Sequence, residues 1–187
     1  GNRLRAEPMK GTAARHADPH HDTVVLQTLL DDPKMQAENL MIVDLIRNDL
    51  SQVAVSGSVS VPALFSAQSL KSVHQVSSTV EADLAENQDL VSTLSALFPC
   101  GSVIGAPKAQ ALQLIQDLEA DARGLYTGSL GLLEPSGDFT WSVAIRTLEV
   151  EGESVTLGLG SGLVADSDLE SEWQECLLKG RFAGVGS

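Results

Sequence analysis

Cysteine, positive charge and long apolar runs are all scarce in this 187-residue sequence. Cys100 and Cys176 lie far apart and form no CxxC pair, so a disulfide scaffold is not expected and a reducing, cytoplasmic setting is favoured. Twelve Lys and Arg residues stand against 25 Asp and Glu, a formal net charge of −13. Such a chain repels phosphates and anionic lipids, which argues against nucleic acid and membrane surfaces as partners. Its apolar runs are too short to span a membrane, and its N-terminus has no apolar signal-peptide core.

Hydrophobic residues make up 43% of the chain and charged residues 20%, which is typical of a globular protein with a buried core. Asp32 followed by Pro33 predicts a helix start, and the apolar stripe through Leu40, Val43 and Leu50 continues that helix. Alternating residues predict strands over 53–61 and 72–80. A short helix is expected from Asp89 to Phe98.

The second half of the sequence predicts a loop containing glycines and a helix opening at Pro107. Three strand candidates follow, at 125–133, 138–149 and 154–164, and short turns between them predict an antiparallel meander. The last helix has a capping-box pattern at Ser167 and Glu170. Helices and hairpin-connected strands in this order predict an α+β fold rather than a doubly wound sheet.

A group of histidines lies in the polar segment 13–24, where His16, His20 and His21 stand among Asp18 and Asp22. Metal binding is conceivable there, but the spacing matches neither a helical nor a finger motif. A solvated loop is therefore the favoured interpretation.

Lys10 stands in the turn-like stretch "EPMKGT", and its neighbours do not show whether it is a solvated lysine or a nucleophile. Glu172, Glu175 and Lys179 share one face of the last helix, either as a solvated stripe with an ion pair or as part of a site. Glu38 belongs to a different helix. Carboxylates from two helices could hold a hard cation such as Mg²⁺, although composition does not show that these helices meet.

Glycines directly before the last helix could serve a ligand or simply form a turn. Gly160 and Gly162 allow close backbone approach, so that amide N–H groups could hold a carboxylate. Arg146 and Tyr126 lie on adjoining strand candidates. An inward-facing Arg146 could clamp a second carboxylate, and a surface position for it is about equally compatible with the sequence.

Taken together, these motifs resemble the chorismate-utilising enzymes, the family of the anthranilate, isochorismate, salicylate and aminodeoxychorismate synthases. The matching stretches are "PMKGT", "AENLMIVDLIRNDL", "FPCGSVIGAPK", "YTGSLG", "IRT", "GSGLVADSD" and "EWQE…KGR". They occur in the family's order and cover essentially the whole chain. The resemblance implies a layered α/β/β/α fold with two orthogonally packed antiparallel sheets. It further implies that residues 1–187 form the C-terminal part of a chorismate-binding catalytic domain whose N-terminal portion is missing.

The resemblance also implies roles for individual residues. Glu38 and Glu175 match ligands of Mg²⁺, and Glu172 matches a supporting catalytic acid. The site for the ring carboxylate is implied at Gly160, Ser161, Gly162 and Lys179. Tyr126 and Arg146 match the residues that hold the enolpyruvyl carboxylate, and Gly11 and Thr12 match residues lining the same pocket.

Lys10 distinguishes the branches of the family, because anthranilate synthases usually have alanine at this position and aminodeoxychorismate synthases have a nucleophilic lysine. The resemblance therefore implies conversion of chorismate and ammonia into 4-amino-4-deoxychorismate, for para-aminobenzoate and folate synthesis. Lys10 would attack C2 of chorismate, with Mg²⁺ assistance, and a glutamine amidotransferase partner would supply the ammonia. Anthranilate synthase component I or another chorismate enzyme is the first alternative.

Gln75 departs from the family, which commonly has a histidine at this position of a strand. His74 is one residue earlier and faces the other side of the strand, so it does not replace the missing group. Glutamine does not act as a general acid near neutral pH. Gln75 and the missing N-terminal portion motivate the second alternative, a non-catalytic remnant that binds chorismate or a partner.

Overall fold

The computed structural model describes residues 2–165 and 167–184. The chain divides into two compact units, one ending at Leu97 and the other beginning at Phe98. Both units combine helices with antiparallel strands, which confirms the α+β prediction. Among the described residues no single helix is long and apolar enough to cross a membrane. One bent pair, Leu90–Ile104 with Lys108–Leu118, passes that test by length and composition alone.

In the part that the structure describes, the first unit is a four-stranded antiparallel sheet with three helices. Its elements are β1 (Arg3–Ala6), β2 (Met9–Ala14), α1 (Pro19–Leu30), α2 (Pro33–Ser51), β3 (Ser60–Ser69), β4 (Val73–Asp83) and α3 (Leu90–Leu97). Strand β4 is the centre of the sheet, since β1, β2 and β3 all pair with it. Buried apolar residues of α2 and β4 form most of the core, among them Ile42, Val43, Ile46, Leu50, Val76 and Val80.

The start of α2 confirms the sequence prediction, because the Asp32 carboxylate accepts a hydrogen bond from the main-chain N–H of Lys34 at 2.9 Å. Val43 and Leu50 are each only 1% exposed, as the predicted apolar stripe requires. The prediction for Leu40 is wrong, because this residue is 46% exposed and does not belong to the buried stripe. Strand β4 and helix α3 also lie where the sequence predicts them.

Two predictions in the first unit are wrong. The polar segment 13–24 is not a loop throughout, because α1 begins at Pro19 with Asp18 as its N-cap. The alternating stretch 53–61 is mostly turn and irregular backbone, with Gly57 at a positive φ of 81° and β3 beginning only at Ser60. Alternation alone does not make a strand where the backbone must reverse.

The described residues of the second unit form two hairpins, three α-helices and a short 3-10 helix, Arg181–Ala183. Its elements are α4 (Gly101–Ile104), α5 (Lys108–Leu118), β5 (Ser129–Leu133), β6 (Phe139–Val143), β7 (Leu148–Glu151), β8 (Ser154–Leu157) and α6 (Leu169–Gly180). Strand β5 pairs with β6, and β7 pairs with β8, both antiparallel.

The strand boundaries in this unit are shorter than the sequence predicts. The candidate 138–149 is two strands, and Arg146 between them has a positive φ of 51°. The candidate 154–164 ends at Leu157. Helix α6 is capped by Asp168 rather than Ser167, because the Asp168 carboxylate accepts the Ser171 N–H at 2.9 Å.

Candidate active site

Lys10 forms an ion pair with Glu38 inside the first unit. Lys10 lies on β2 and Glu38 on α2, and their Nζ and Oε2 atoms are 3.1 Å apart. Both side chains are partly open to solvent, with exposed fractions of 43% and 37%. A small ligand could therefore reach the lysine amine and the carboxylate together.

Asn39 holds the backbone of Lys10 against α2. This side chain is fully buried, and its Nδ2 donates to the Lys10 carbonyl at 3.4 Å. Its Oδ1 accepts from the Ser78 hydroxyl at 2.7 Å, and that hydroxyl oxygen in turn accepts the Phe65 N–H at 3.1 Å. Asn39 is not among the residues that the sequence predicts for the site, although a polar residue inside the apolar stripe beside Glu38 is a signal for it.

Gly11 follows Lys10 at a place where a side chain does not fit. Its φ is +109°, a conformation that favours glycine, and the register of β2 against β4 shifts between Met9 and Thr12. A Cβ on Gly11 would lie 2.8 Å from Cγ of Met35. Thr12 then pairs across the sheet with Gln75.

In the second unit, the side chain of Lys179 on α6 contacts the glycine segment that precedes this helix. Lys179 Nζ lies 2.6 Å from Oε1 of Glu175, one turn earlier on the same helix, and donates to the Gly160 carbonyl at 2.9 Å. Ser161 and Gly162 follow in the same segment. A Cβ on Gly162 would meet no described atom within 4 Å, so the space at this position is open.

Arg146 and Lys179 together line a pocket of about 260 Å³, with Leu178 and Phe182 as its apolar lining. Two cations beside apolar side chains suit a carboxylate attached to a hydrophobic ring. The φ of Arg146 is +51° and that of Thr127 is +63°. Left-handed conformations of non-glycine residues cost energy, and they are concentrated at functional sites.

Tyr126 occupies the space above two glycines. A Cβ on Gly158 would lie 2.2 Å from Cγ of Tyr126, and a Cβ on Gly160 would lie 2.5 Å from its hydroxyl oxygen. Burial raises the pKa of the Tyr126 phenol, so the hydroxyl keeps its proton and remains a hydrogen-bond donor. Arg123 lies 5.6 Å from the centre of the ring.

Glu172 lies on α6, the helix that also carries Glu175 and Lys179. Its carboxylate accepts a hydrogen bond from the Ser167 hydroxyl at 2.7 Å. Four of the predicted site residues lie in the first unit: Lys10, Gly11, Thr12 and Glu38. The remaining predicted site residues fall in the second unit: Tyr126, Arg146, Gly160, Ser161, Gly162, Glu172, Glu175 and Lys179.

His74 belongs to a buried polar network that sequence reasoning missed. The side chain is 2% exposed, and its Nε2 lies 3.0 Å from Oδ1 of Asp22. A carboxylate only accepts, so Nε2 donates to Asp22, and Nδ1 forms a second hydrogen bond with Ser69 Oγ at 2.9 Å. Hydrogen bonds from Arg15 and from the His16 N–H hold the pKa of Asp22 well below its usual range. His74 is thus engaged away from Gln75, as strand alternation predicts.

The two glutamates matched to Mg²⁺ each have an ammonium group at ion-pair distance, Lys10 on Glu38 and Lys179 on Glu175. Their carboxylates already accommodate a cation in this structure. Oxygen donors of this kind are also what Mg²⁺ takes in proteins. Both residues therefore fit the role of magnesium ligands.

Comparison with known proteins identifies the family of the chain. A sequence model of the chorismate binding enzymes matches residues 1–183. Aminodeoxychorismate synthase component 1 of Escherichia coli K12 is 43% identical over 172 residues, covering 92% of this chain. Anthranilate synthase component 1 of Streptomyces coelicolor is 40% identical over 181 residues, covering 97% of this chain and 35% of that protein. The chain thus spans only 38% of the length of the Escherichia coli relative.

Among solved structures, anthranilate synthase component I of Streptococcus pneumoniae superimposes with a TM-score of 0.85 at 31% identity. That match covers 95% of this chain and 39% of the other. The chorismate-binding fold expected from the motifs is confirmed by this likeness. The family match over nearly the whole chain, together with these relatives, shows that the chain belongs to the chorismate binding enzyme family.

Proposed function

We propose that this chain carries the chorismate-aminating chemistry of an aminodeoxychorismate synthase. The observation that carries the proposal is Lys10, which stands at the position that separates the family's branches and points its amine to the carboxylate of Glu38. The aminodeoxychorismate synthase relative from Escherichia coli, 43% identical, supports the same branch. The net reaction is chorismate plus ammonia giving 4-amino-4-deoxychorismate plus water.

Lys10 acts as the nucleophile in this proposal. Its ammonium group loses a proton and the resulting amine forms a bond to C2 of chorismate, while the ring double bonds shift and the C4 hydroxyl takes up that proton and leaves as water. Ammonia then bonds to C4, the double bonds shift back, and the C2–nitrogen bond to Lys10 breaks. The amine of Lys10 is thereby regenerated, so two displacements replace one difficult exchange.

The substrate carboxylates are held by cations and backbone groups of the second unit. Lys179 and the glycine segment 160–162 take the ring carboxylate, and Arg146 with the protonated Tyr126 hydroxyl takes the enolpyruvyl carboxylate. Arg146 and Lys179 line one pocket, which supports placing the two carboxylate-binding groups next to each other. Fixing both carboxylates orients the ring, which lowers the entropic cost of the displacement.

Glu38 and Glu175 are the residues proposed to hold Mg²⁺, and Glu172 supports them as the third acid. When bound, Mg²⁺ would neutralise the substrate's carboxylate charge and polarise the reacting ring. The ammonia is proposed to come from a glutamine amidotransferase subunit, consistent with the "component 1" in the relative's name. The product would then serve para-aminobenzoate and folate synthesis.

The test uses the full-length protein with chorismate, Mg²⁺ and ammonium salt. Lys10→Ala is expected to abolish the covalent chorismate adduct seen by intact-protein mass spectrometry, and with it the formation of aminodeoxychorismate. Lys71→Ala, which removes an exposed lysine in the turn between β3 and β4, is the matched control and should keep both. An adduct of unchanged yield in Lys10→Ala contradicts the nucleophile assignment.

A second candidate is supported by the Streptomyces coelicolor relative, an anthranilate synthase component 1 that aligns over 97% of this chain. Chromatography of the reaction products separates the two candidates. Anthranilate as the main product would overturn amination at C4, whereas aminodeoxychorismate would exclude the second candidate. No turnover by the full-length protein would favour the non-catalytic alternative motivated by Gln75.

A further inference from the structure

The connection between β2 and α1, with the first turn of α1, brings two histidines and an aspartate together. Ligand atoms of His16, Asp18 and His21 all lie within 4.8 Å of one another, and all three residues are exposed. We propose that these residues form a binding site for a divalent transition-metal ion, with Zn²⁺ as the expected occupant. The inference does not rest on chorismate chemistry, because none of the three residues is assigned to that site.

Each of the three residues is tied to the local backbone. Asp18 is the N-cap of α1, and its Oδ1 accepts the His21 N–H at 2.9 Å. His21 Nδ1 lies 3.2 Å from the same oxygen. The His16 N–H donates to the carboxylate of Asp22 at 2.8 Å, so the start of the segment is held as well. Such anchoring lowers the entropy lost when the three side chains bind one ion.

His16 is also in the chemical state that a ligand needs. Its Nδ1 accepts a hydrogen bond from the Asp18 N–H at 3.0 Å, so this nitrogen carries a lone pair rather than a proton. A bound ion would take this lone pair in place of the backbone N–H. The His16 and His21 rings lie edge to face with centroids 5.1 Å apart, which puts both imidazoles beside Asp18.

The electrostatics of the segment favour a cation. A helix N-terminus carries roughly +0.5 elementary charge, which opposes a positive ion. The full negative charge of Asp18 is larger than this partial positive charge. The positive charge of nearby Arg15 is neutralised by its ion pair with Asp22. The chain as a whole has a formal net charge of −13, which further favours cation binding.

The ligand set selects the kind of metal. Two imidazole nitrogens and one carboxylate oxygen are a set that Zn²⁺ accepts, with a fourth position left for water. Mg²⁺ prefers oxygen ligands throughout, so it should not compete here. This preference separates the His16–Asp18–His21 site from the glutamates proposed for magnesium.

Calorimetric titration of the full-length, untagged protein with Zn²⁺, in a large excess of Mg²⁺, tests the proposal. One site is expected to depend on both histidines, with His16→Asn and His21→Asn each weakening it by roughly 10- to 100-fold or more. Asparagine keeps a hydrogen-bond acceptor near the Nδ1 position, and circular dichroism checks that α1 is retained. His20→Asn is the matched control, since His20 neighbours His21 but lies outside the three-residue cluster.

The proposal is overturned by any of three results: no Zn²⁺ binding, binding that survives both His16→Asn and His21→Asn, or equal weakening by His20→Asn. It is supported when only the two cluster variants lose the site. Chorismate turnover does not enter this measurement, so the outcome is independent of the proposed enzymatic function.

Discussion

The side chain of Tyr126 lies against two glycines, and no larger residue fits at either position without a shift. Gly158 and Gly160 both lie so close to its side chain that a Cβ would overlap it, whereas Gly162 has open space. The sequence alone does not show at which of these three glycines a side chain would clash. The structure separates the two glycines that make room for Tyr126 from Gly162, where a Cβ would meet only open space.

Gly158→Ala is expected to lower the free energy of unfolding by about 1–3 kcal/mol, because the new Cβ would overlap the Tyr126 ring and force it to move. Gly162→Ala is the control and should change stability by less than about 0.5 kcal/mol. Urea unfolding followed by Tyr and Trp fluorescence measures both. Equal stability of the two variants would contradict the packing described for Tyr126.

His74 is a second residue whose role depends on partners distant in sequence. Leucine is similar in size to histidine but is apolar, so the replacement removes the hydrogen bonds to Asp22 and Ser69. His74→Leu is expected to cost about 1–3 kcal/mol, because it leaves buried polar groups unpaired. His20→Leu changes an exposed histidine and should cost little. A chemical denaturation experiment on both variants checks the difference.

The same network predicts a pH dependence. Asp22 has a folded-state pKa well below its usual range because of Arg15 and the His16 N–H. Its stabilisation is therefore present above about pH 4, the unfolded value, and is lost as the pH falls through the folded value. Asp22→Asn should be less stable than the original protein near pH 7, and this gap should narrow below about pH 4. A gap that stays constant down to about pH 3 would contradict the assignment.

At the scale of residues, the sequence predicts the identity of the site but not its supporting contacts. Lys10, Glu38 and Lys179 are recognisable because they stand in motifs with a fixed order. Asp22 and His74 are 52 positions apart, and no local pattern indicates that they meet. Asn39 is intermediate, since its place in an apolar stripe marks it as unusual without naming its partners.

At the scale of elements, the sequence predicts helix α2 best and helix α1 worst. Asp32 and Pro33 are strong start signals, and the long apolar stripe behind them supplies a face for the sheet. Helix α1 opens with "PHHD", whose polar residues resemble a loop although Asp18 caps it. The error at 53–61 has a similar origin, because alternation there coincides with a turn at Gly57.

Helix α2 also explains how the lysine strand is held in place. Asn39 links the carbonyl of Lys10 on β2 to the hydroxyl of Ser78 on β4. Asn39→Ala is expected to cost about 1–3 kcal/mol, because the buried carbonyl and hydroxyl lose their partner. Asn48→Ala, on the exposed side of the same helix, should stay within about 0.5 kcal/mol. Differential scanning calorimetry of both variants measures the contrast.

At the scale of the whole molecule, a chain with a formal net charge of −13 is proposed to bind an anionic substrate. The long-range field opposes this, so local cations must overcome it. The structure puts Arg146 and Lys179 on one pocket and Lys10 on another element. Composition alone argues against anionic partners in general, but it does not show where individual cations are placed. That placement is the part of the function that only the fold provides.

Both carboxylates proposed for Mg²⁺ are paired with lysines, and these pairs are partly exposed. Exposed ion pairs contribute about 0.2–1 kcal/mol, so a divalent ion can displace them. Lys179→Met in the full-length protein removes the ammonium that competes at Glu175. It should raise Mg²⁺ affinity by roughly 1.5- to 5-fold, the equivalent of that energy.

Mn²⁺ binding followed by electron paramagnetic resonance measures the effect of Lys179→Met, with Mg²⁺ as the competitor. Lys71→Met lowers the net charge by the same single unit but lies in the turn between β3 and β4. It therefore reports the contribution of overall charge alone. An affinity gain confined to Lys179→Met identifies the lysine as the ion's competitor at Glu175. Equal gains in both variants would mean that only the long-range field had changed, and a loss in Lys179→Met would contradict competition between the lysine and the ion.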